Sequence, residues 1–384
     1  MQRPCYGKSS SRYPFRNPVD LCKVIHSIKR LSLLLSPFIL LFALSVHAGK
    51  SWHPIEVEVW DPPFNSDRMR RTGIYDALDS ASRPWRICVS IPHLKDDYWI
   101  AVNYGLFDEA RRLGVGMNLY EAGGYSNLQN QRKQITECMD RDADGLVVSA
   151  ISADGLNDLV ERYTNQGKPV IDLINGLSAP GITARAAADF WDMGNQTAHY
   201  LRELHKGETG MVRVAWFPGP SGAAWVSAGD TGFRAGIENS SIRNVTAAEG
   251  DTGLAAQGRL VEQAIDAHPD LDYIVGTAVT AEAAVPILRR HGLTEQVSVV
   301  AYYYSPGVHR GIGRGQIVAA PTDRQAILAR IAMDQIVHAL EGKPFPRHVA
   351  PSPVVIDHGN IREFDVSTSL PPRGFRPIFS VNKW

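Results

Sequence analysis

Short apolar segments alternate with longer amphipathic segments from residue 86 towards the middle of the chain. Short apolar runs favour β-strands, and apolar positions three or four residues apart favour helices. Strands separated by helices of about 10–15 residues predict βαβ units and a parallel sheet with right-handed crossovers. The predicted elements are strands at 86–91, 116–122, 145–150 and 169–174, and helices at 98–114, 127–141 and 155–167.

A second series of the same kind follows residue 193. Two such series predict an α/β protein with two doubly wound lobes. Ligands of open parallel sheets bind beyond the carboxyl ends of the strands, so the loops after strands are the first candidates for a site. The predicted elements are helices at 194–206, 223–237, 254–267 and 280–291, and strands at 211–217, 242–248, 272–277 and 297–303.

The first part of the chain has the pattern of an exported protein. An uncharged run at 31–46 follows Lys29 and Arg30 and precedes small residues that end at Ala48. This order predicts a signal peptide over residues 1–48. The run is shorter than the roughly 20 apolar residues that span a bilayer, so we expect no membrane insertion after cleavage. Residues 49–85 show no sustained period, which predicts an N-terminal extension on the surface.

Charge and cysteine content narrow the function further. Seven of the 40 basic residues and one of the 40 acidic residues lie in the first 48, which leaves 33 against 39 and a net charge of −6. An acidic chain without a basic stripe is a poor partner for nucleic acid. Outside the signal peptide only Cys88 and Cys138 remain, in a compartment that permits disulfides. A Cys88–Cys138 bridge and two buried thiols are both compatible with this pattern.

Aromatic side chains collect in the loops that follow the predicted strands. Trp and Tyr faces attract a cationic, methylated nitrogen, and their polar edges donate hydrogen bonds. Groups that pair with sugar hydroxyls are few in the same loops, which favours a small ligand with a positive, methyl-rich end. The aromatic candidates are Tyr98, Trp99, Tyr125, Phe190, Trp191 and Tyr303, and the main acidic candidates are Asp96 and Asp323.

Motifs of known catalytic sites are missing from the sequence. It has no G-x-S-x-G, no H-E-x-x-H, no P-loop and no G-x-G-x-x-G at the start of a helix. We therefore predict no catalytic residues, no cofactor and no metal site.

Several short segments carry a resemblance to a known family. With the predicted signal peptide and two lobes, they resemble the type I periplasmic binding proteins of the ribose-binding group, and within them the trimethylamine N-oxide sensors. The resemblance covers the chain from about Trp85 to Pro377. The segments are LKDDYW at 94–99, NYGLFDEARRLGV at 103–115, EAGGYS at 121–126, WDMG at 191–194, PGPSG at 218–222, GTAVTAEAA at 276–284 and LPPRGFRP at 370–377.

The resemblance implies a division into lobes and a ligand site. Residues 86–188 with 302–321 would form lobe 1 and 189–301 with 322–384 lobe 2, joined by a hinge of several crossing segments. The ligand would lie between Tyr98, Trp99, Tyr303 and the aromatic residue before DMG. For the last position the sequence leaves Phe190 and Trp191 open, and the indole donor of Trp191 favours it. Tyr125 would close the mouth, and Asp96 would either face the ligand or cap a helix.

The resemblance also implies a function. The expected protein is a periplasmic, non-enzymatic receptor for trimethylamine N-oxide that acts through the periplasmic domain of a membrane sensor histidine kinase. Sugar-binding relatives place an acidic residue where this chain has Tyr303, so that position favours the methylamine oxide. The alternative is the substrate-binding protein of an ABC importer for a sugar or another small solute.

Overall fold

The computed structural model describes residues 51–384, and the predicted signal peptide lies outside the described residues. No helix in this part is both long and apolar enough to cross a membrane. The strands are β1 Ile55–Trp60, β2 Arg70–Tyr75, β3 Arg86–Ile91, β4 Gly116–Glu121, β5 Gly145–Val148, β6 Val170–Leu173, β7 Ala184–Ala186, β8 Val212–Phe217, β9 Ile242–Ala247, β10 Tyr273–Gly276, β11 Ser298–Ala301, β12 Ala319–Thr322, β13 His348–Ala350, β14 Val354–Asp357 and β15 Ser380–Val381. The α-helices are α1 Asp97–Leu113, α2 Leu128–Asp140, α3 Asn157–Asn165, α4 Phe190–Leu204, α5 Ala224–Ile237, α6 Leu254–Ala267, α7 Ala278–His291, α8 Pro306–Gly313 and α9 Gln325–Leu340.

Two parallel sheets organise these elements. The larger sheet has the order β15-β4-β3-β5-β6-β7-β13-β1-β2, and the run from β4 to β13 is parallel. The smaller sheet, β11-β10-β8-β9, is parallel throughout. The strands that the apolar runs predicted form the centre of both sheets, because strands covered by helices on both faces are apolar along their whole length.

The sequence predicted an N-terminal extension on the surface without a sustained period. In the structure this segment is not irregular. Its strands β1 and β2 form an antiparallel hairpin, and β1 adds to β13 at one edge of the large sheet. The strand β1 reads IEVEVW, and this strict alternation of apolar and acidic residues is typical of a half-buried edge strand. The flanking Pro and charged residues conceal this short signal.

The division into lobes also differs from the predicted one. Helix α9 was placed in lobe 2, but it packs on α1 and on strands β5, β6 and β7 of the large sheet. Helix α8 and strand β12 were placed in lobe 1, but they pack against α7 and β11 of the small sheet. We therefore use "first lobe" for the large sheet with α1–α3 and α9, and "second lobe" for the small sheet, the β12–β14 pair and α4–α8.

Glycines allow two pairs of helices to pack with their backbones in contact. A Cβ on Gly105 of α1 would lie 2.3 Å from the carbonyl oxygen of Ala326 in α9. A Cβ on Gly232 of α5 would lie 1.9 Å from the carbonyl oxygen of Trp191 in α4. Each pair carries residues of the candidate site at its end, so these contacts set the positions of the site walls.

The two cysteines outside the signal peptide are joined. Cys88 of β3 and Cys138 of α2 form a disulfide with a Cα–Cα distance of 6.0 Å. The bridge fixes α2 against β3 of the large sheet, so the disulfide is the alternative that the structure supports.

Candidate functional site

A small cavity lies between the two lobes, beyond the carboxyl ends of the sheet strands. Its volume is about 20 Å³, far below the roughly 300–1,000 Å³ that is usual for drug-sized ligands, so the surrounding side chains nearly close it. A ligand that fills it must be small. The lining consists of six aromatic residues, Tyr98, Trp99, Tyr125, Phe190, Trp225 and Tyr303, together with Ile174, Asn175 and Thr252.

The first helical turn of α1 supplies the wall in the first lobe. The carboxylate of Asp96 accepts a hydrogen bond from the backbone N–H of Trp99 at 3.2 Å, which caps the helix. Capping starts the helix so that Tyr98 and Trp99 both turn inward, 5 % and 3 % exposed. The Tyr98 hydroxyl donates to the buried carboxylate of Asp323 at 2.6 Å. The sequence left open whether Asp96 faces the ligand or caps a helix. In the structure Asp96 caps α1 and does not line the cavity.

The second lobe supplies the opposite wall. The Tyr303 ring lies 5.2 Å from the Tyr98 ring and 5.9 Å from the Trp225 ring, edge-on to both. Its neighbours point elsewhere: Tyr302 donates to the carbonyl oxygen of Pro218 at 2.6 Å, and the Tyr304 hydroxyl is 2.7 Å from His309 Nδ1. Only the middle one of the three consecutive tyrosines therefore faces the cavity.

The hydroxyl of Tyr125 is the most specific polar group of the cavity. It accepts hydrogen bonds from Asn175 Nδ2 at 3.0 Å and from Trp225 Nε1 at 3.1 Å. The same Asn175 nitrogen donates to the carbonyl oxygen of Ala150 at 2.8 Å, which fixes the orientation of the amide. With both acceptor positions of the hydroxyl used, its proton is left to donate to an acceptor in the cavity.

The backbone next to Asn175 is strained. Ile174 has a φ of 68°, a left-handed conformation that is rare for a β-branched residue. Such strain costs on the order of 1–3 kcal/mol and is concentrated at functional sites. Here it turns the chain at the end of β6 so that Ile174 and Asn175 both reach the cavity.

Buried ionisable groups surround the rings. Burial raises the pKa of Asp96 to about 7 and that of Asp323 to about 6. Burial lowers the pKa of His93 to about 3, so this imidazole is neutral at physiological pH. The Asp96 carboxylate also raises the pKa of Tyr303 and of Tyr125 by electrostatic repulsion, although burial is the larger cause for both. Asp96 is therefore near both rings, and a positive ligand group between them would favour its ionised form.

Contacts across the mouth hold the lobes together. His93 Nε2 lies 3.0 Å from the Thr252 hydroxyl, and Lys95 forms an ion pair with Asp251. Both pairs join the loop before α1 to the loop before α6. The cavity is therefore closed on this side by groups that separate when the lobes move apart.

The aromatic residue near the DMG segment that lines the cavity is Phe190 and not Trp191, which the sequence analysis favoured. Helix α4 begins at Phe190, because Asp189 caps it by accepting from the Trp191 N–H at 2.9 Å. Consecutive helical residues point about 100° apart. Phe190 therefore faces the cavity, 5.6 Å from Trp225, whereas Trp191 lies outside it with the Arg68 guanidinium 4.1 Å above its ring.

Sequence reasoning missed several residues around the cavity. Trp225, Thr252 and Ile174 line it, and His93 stands behind Trp99 and Tyr125 with ring centroids 6.2 and 5.6 Å away. Trp225 follows the PGPSG segment at 218–222 by three residues and was not among the predicted site residues. An aromatic residue in the first turn of a helix after a strand, as for Trp99, is the signal that could have found it. No group of three or more potential metal ligands occurs among residues 51–384.

Comparisons with known proteins agree with this architecture. A model of the periplasmic binding protein domain matches residues 87–344. The periplasmic protein TorT of Escherichia coli O157:H7 is 35% identical over 327 residues, which cover 83% of this chain and 93% of TorT.

Two solved structures are similar in fold and sequence. An ABC transporter solute-binding protein from Bradyrhizobium sp. BTAi1, crystallised with bound Bis-Tris, is 45% identical with a TM-score of 0.76 and covers 86% of this chain and 100% of that chain. The complex of the TorS sensor domain with TorT in the presence of TMAO contains a chain that is 31% identical, with a TM-score of 0.71, covering 77% of this chain and 99% of that one. The matches confirm the predicted α/β fold and the resemblance drawn from the short segments. The chain belongs to the periplasmic binding protein family, in its TorT branch.

Proposed function

We propose that this protein is a periplasmic, non-enzymatic receptor that binds trimethylamine N-oxide in the aromatic cavity and passes the signal to the periplasmic domain of a membrane sensor histidine kinase. The observation that carries the proposal is the Tyr125 hydroxyl, which accepts hydrogen bonds from Asn175 and Trp225 at a small cavity walled by rings. The TMAO-bound complex of TorT with the TorS sensor domain, whose TorT chain is related to this one, supports the same assignment.

The chemistry of the ligand matches the lining at both ends. Trimethylamine N-oxide has three methyl groups on a positive nitrogen, and each ring face is worth about 0.5–2 kcal/mol towards such a cation. Its oxygen is a strong acceptor without a proton, and the Tyr125 O–H is a donor without an acceptor among residues 51–384. A ring-shaped sugar fits less well, because its hydroxyls would meet Asn175 and Thr252 as the only polar side chains of the lining apart from the tyrosine and tryptophan edges.

A second candidate is supported by the Bradyrhizobium relative, an ABC transporter solute-binding protein at 45% identity. In this alternative the cavity delivers its solute to an importer. Bis-Tris, the molecule bound to that relative, carries a protonatable tertiary amine. The two candidates differ in the membrane partner to which the ligand-bound protein is presented.

Calorimetric titration of the purified protein with trimethylamine N-oxide tests the proposal, alone and with the kinase's periplasmic domain. We expect binding by the wild type and a 10- to 100-fold weaker affinity for Tyr125→Phe, because a hydrogen bond to a charged group contributes about 1.5–3 kcal/mol. Trimethylamine, which lacks the oxide, should bind Tyr125→Phe and the wild type with similar affinity.

Tyr163→Phe is the matched control. It removes a buried tyrosine hydroxyl in α3, remote from the cavity and without a hydrogen-bond partner among the described residues. Its affinity should equal that of the wild type. Absence of heat with trimethylamine N-oxide, both alone and with the kinase domain, would contradict the proposed ligand.

A further inference from the structure

A broad groove lies beside α1, which carries Tyr98 and Trp99 of the cavity wall, and beside α8, which begins three residues after Tyr303. Its sides are the start of α1 with Asp97 and Ile100, helix α8 with His309 and Arg310, and the segment 366–375. Its volume of about 690 Å³ is more than ten times that of the ligand cavity. Exposed residues of two helices and a C-terminal segment line the groove, and such a surface suits a segment of another protein.

The groove combines a basic rim with an apolar floor. Arg310, Arg314 and Arg373 are exposed on the rim, and none of them forms an ion pair with any residue of the described part, 51–384. Val366 is 37% exposed on the floor. Phe375 anchors the segment 366–375 to α1, with its ring 5.2 Å from that of Tyr104.

This basic rim stands out against the composition of the chain. After residue 48 the sequence has 39 acidic and 33 basic residues, yet three exposed arginines lie at one groove. Asp97 is the carboxylate among the lining residues. Burial raises the pKa of the Glu282 carboxyl, and the charge of Arg310 offsets part of that rise. Exposed arginines beside apolar side chains favour a partner surface with acidic groups around apolar ones.

The groove is linked to the ligand cavity by short paths on both sides. Asp97 directly precedes Tyr98 and Trp99 of the cavity wall. On the other side, His309 Nδ1 lies 2.7 Å from the hydroxyl of Tyr304, the neighbour of Tyr303. Because α1 belongs to the first lobe and α8 to the second, opening of the lobes would change the width of the groove.

We propose that this groove is the docking surface for the periplasmic domain of the sensor kinase, which inserts an acidic segment with apolar side chains. The inference rests on the proposed function and adds the surface through which the kinase reads lobe closure. A partner bound to both α1 and α8 has different affinity for the closed and the open arrangement, and this difference is what couples ligand binding to signalling.

The test uses the double variant Arg310→Glu/Arg314→Glu and the periplasmic domain of the TorS-type kinase from the same organism. We expect at least a tenfold loss of affinity for that domain and unchanged calorimetric binding of trimethylamine N-oxide. Arg259→Glu is the matched control, because Arg259 is an exposed arginine of α6 in the same lobe and does not line the groove. It should bind the kinase domain like the wild type.

Equal affinity of the double variant and the wild type for the kinase domain overturns the docking surface and leaves the proposed receptor function standing. If the wild type binds trimethylamine N-oxide but not the kinase domain, both the surface and the kinase partner are wrong. A dimer of the wild type by light scattering that the double variant loses would assign the groove to a second copy and also overturn the inference.

Discussion

Phe190 and Trp191 are neighbours in the chain, but only one of them lines the cavity. Phe190 is 6% exposed and packs against Trp225, whereas Trp191 is half-buried beneath Arg68. In the sequence analysis the indole N–H favoured Trp191 as the cavity residue. The donor does not matter for this choice, because the helix cap at Asp189 fixes the direction of each side chain. The residue at which α4 begins therefore decides which of the two rings a ligand contacts.

Leucine at each of the two positions tests this difference. Phe190→Leu keeps most of the volume but removes a ring from the cavity, so we expect affinity for trimethylamine N-oxide to fall about 2- to 30-fold, as one cation–π contact is worth about 0.5–2 kcal/mol. Trp191→Leu should bind with wild-type affinity by calorimetry. The reverse order of effects would place Trp191 at the ligand.

Helices α4 and α5 carry Phe190 and Trp225 at their first turns, and their close packing sets the distance between these rings. Gly232→Ala would put a methyl group 1.9 Å from the Trp191 carbonyl oxygen, a backbone atom that cannot move alone. Overpacking costs typically about 1–3 kcal/mol, and here the helices must separate. We expect a lower free energy of unfolding in urea and weaker ligand binding.

Gly258→Ala is the control for this variant. Gly258 lies inside α6, where an added Cβ would meet its nearest atom, on Ile287, at an ordinary 3.6 Å. Alanine is favoured over glycine in a helix by about 1 kcal/mol, so this variant should be slightly more stable than the wild type. A loss of stability in Gly258→Ala as large as in Gly232→Ala would show that contact between α4 and α5 is not the cause.

At the scale of the whole molecule, closure of the lobes buries two titratable groups with opposite effects. Burial lowers the pKa of His93 from 6.5 to about 3, so unfolding takes up a proton between these values and the contribution of His93 to stability is lost as pH falls. Burial raises the pKa of Asp96 from 3.8 to about 7, so the native state holds the extra proton and stability is lost as pH rises. Between about pH 4 and 6.5 the two effects oppose each other.

The variant Asp96→Asn separates the pH effect of Asp96 from that of His93, because asparagine retains an oxygen that can cap α1 but does not titrate. We expect the variant to match the wild type in free energy of unfolding at about pH 4 and to exceed it at pH 7.5 by on the order of 2–4 kcal/mol. Urea denaturation across this range measures the difference. His93→Gln should show the opposite trend, gaining stability relative to the wild type as pH falls below 6.5.

A difference between Asp96→Asn and the wild type that stays constant from pH 4 to 7.5 would exclude the buried carboxyl as the titrating group.

Local periodicity was enough to predict most of the elements, the parallel sheets and the place of the site. Strand β3 begins and ends at the predicted residues, and α1, α5 and α6 differ from prediction by no more than one residue at either end. Apolar runs and helical spacing are properties of neighbouring residues, so they are visible in the sequence. The aromatic loops were visible for the same reason, since Tyr98, Trp99 and Tyr125 follow predicted strands and Tyr303 ends one.

Only the tertiary structure decided which sheet each late element joins and which side chains meet. Helix α9 belongs to the first lobe because it packs on α1 through Gly105, more than 200 residues earlier in the chain. Trp225 reaches the Tyr125 hydroxyl from 100 positions away. These contacts depend on burial and backbone approach between distant segments, on which periodicity carries no information. The sequence by itself determined an aromatic cleft in a two-lobed α/β protein, and the packing of the lobes determined which rings line it and which side chains hold the Tyr125 hydroxyl in place.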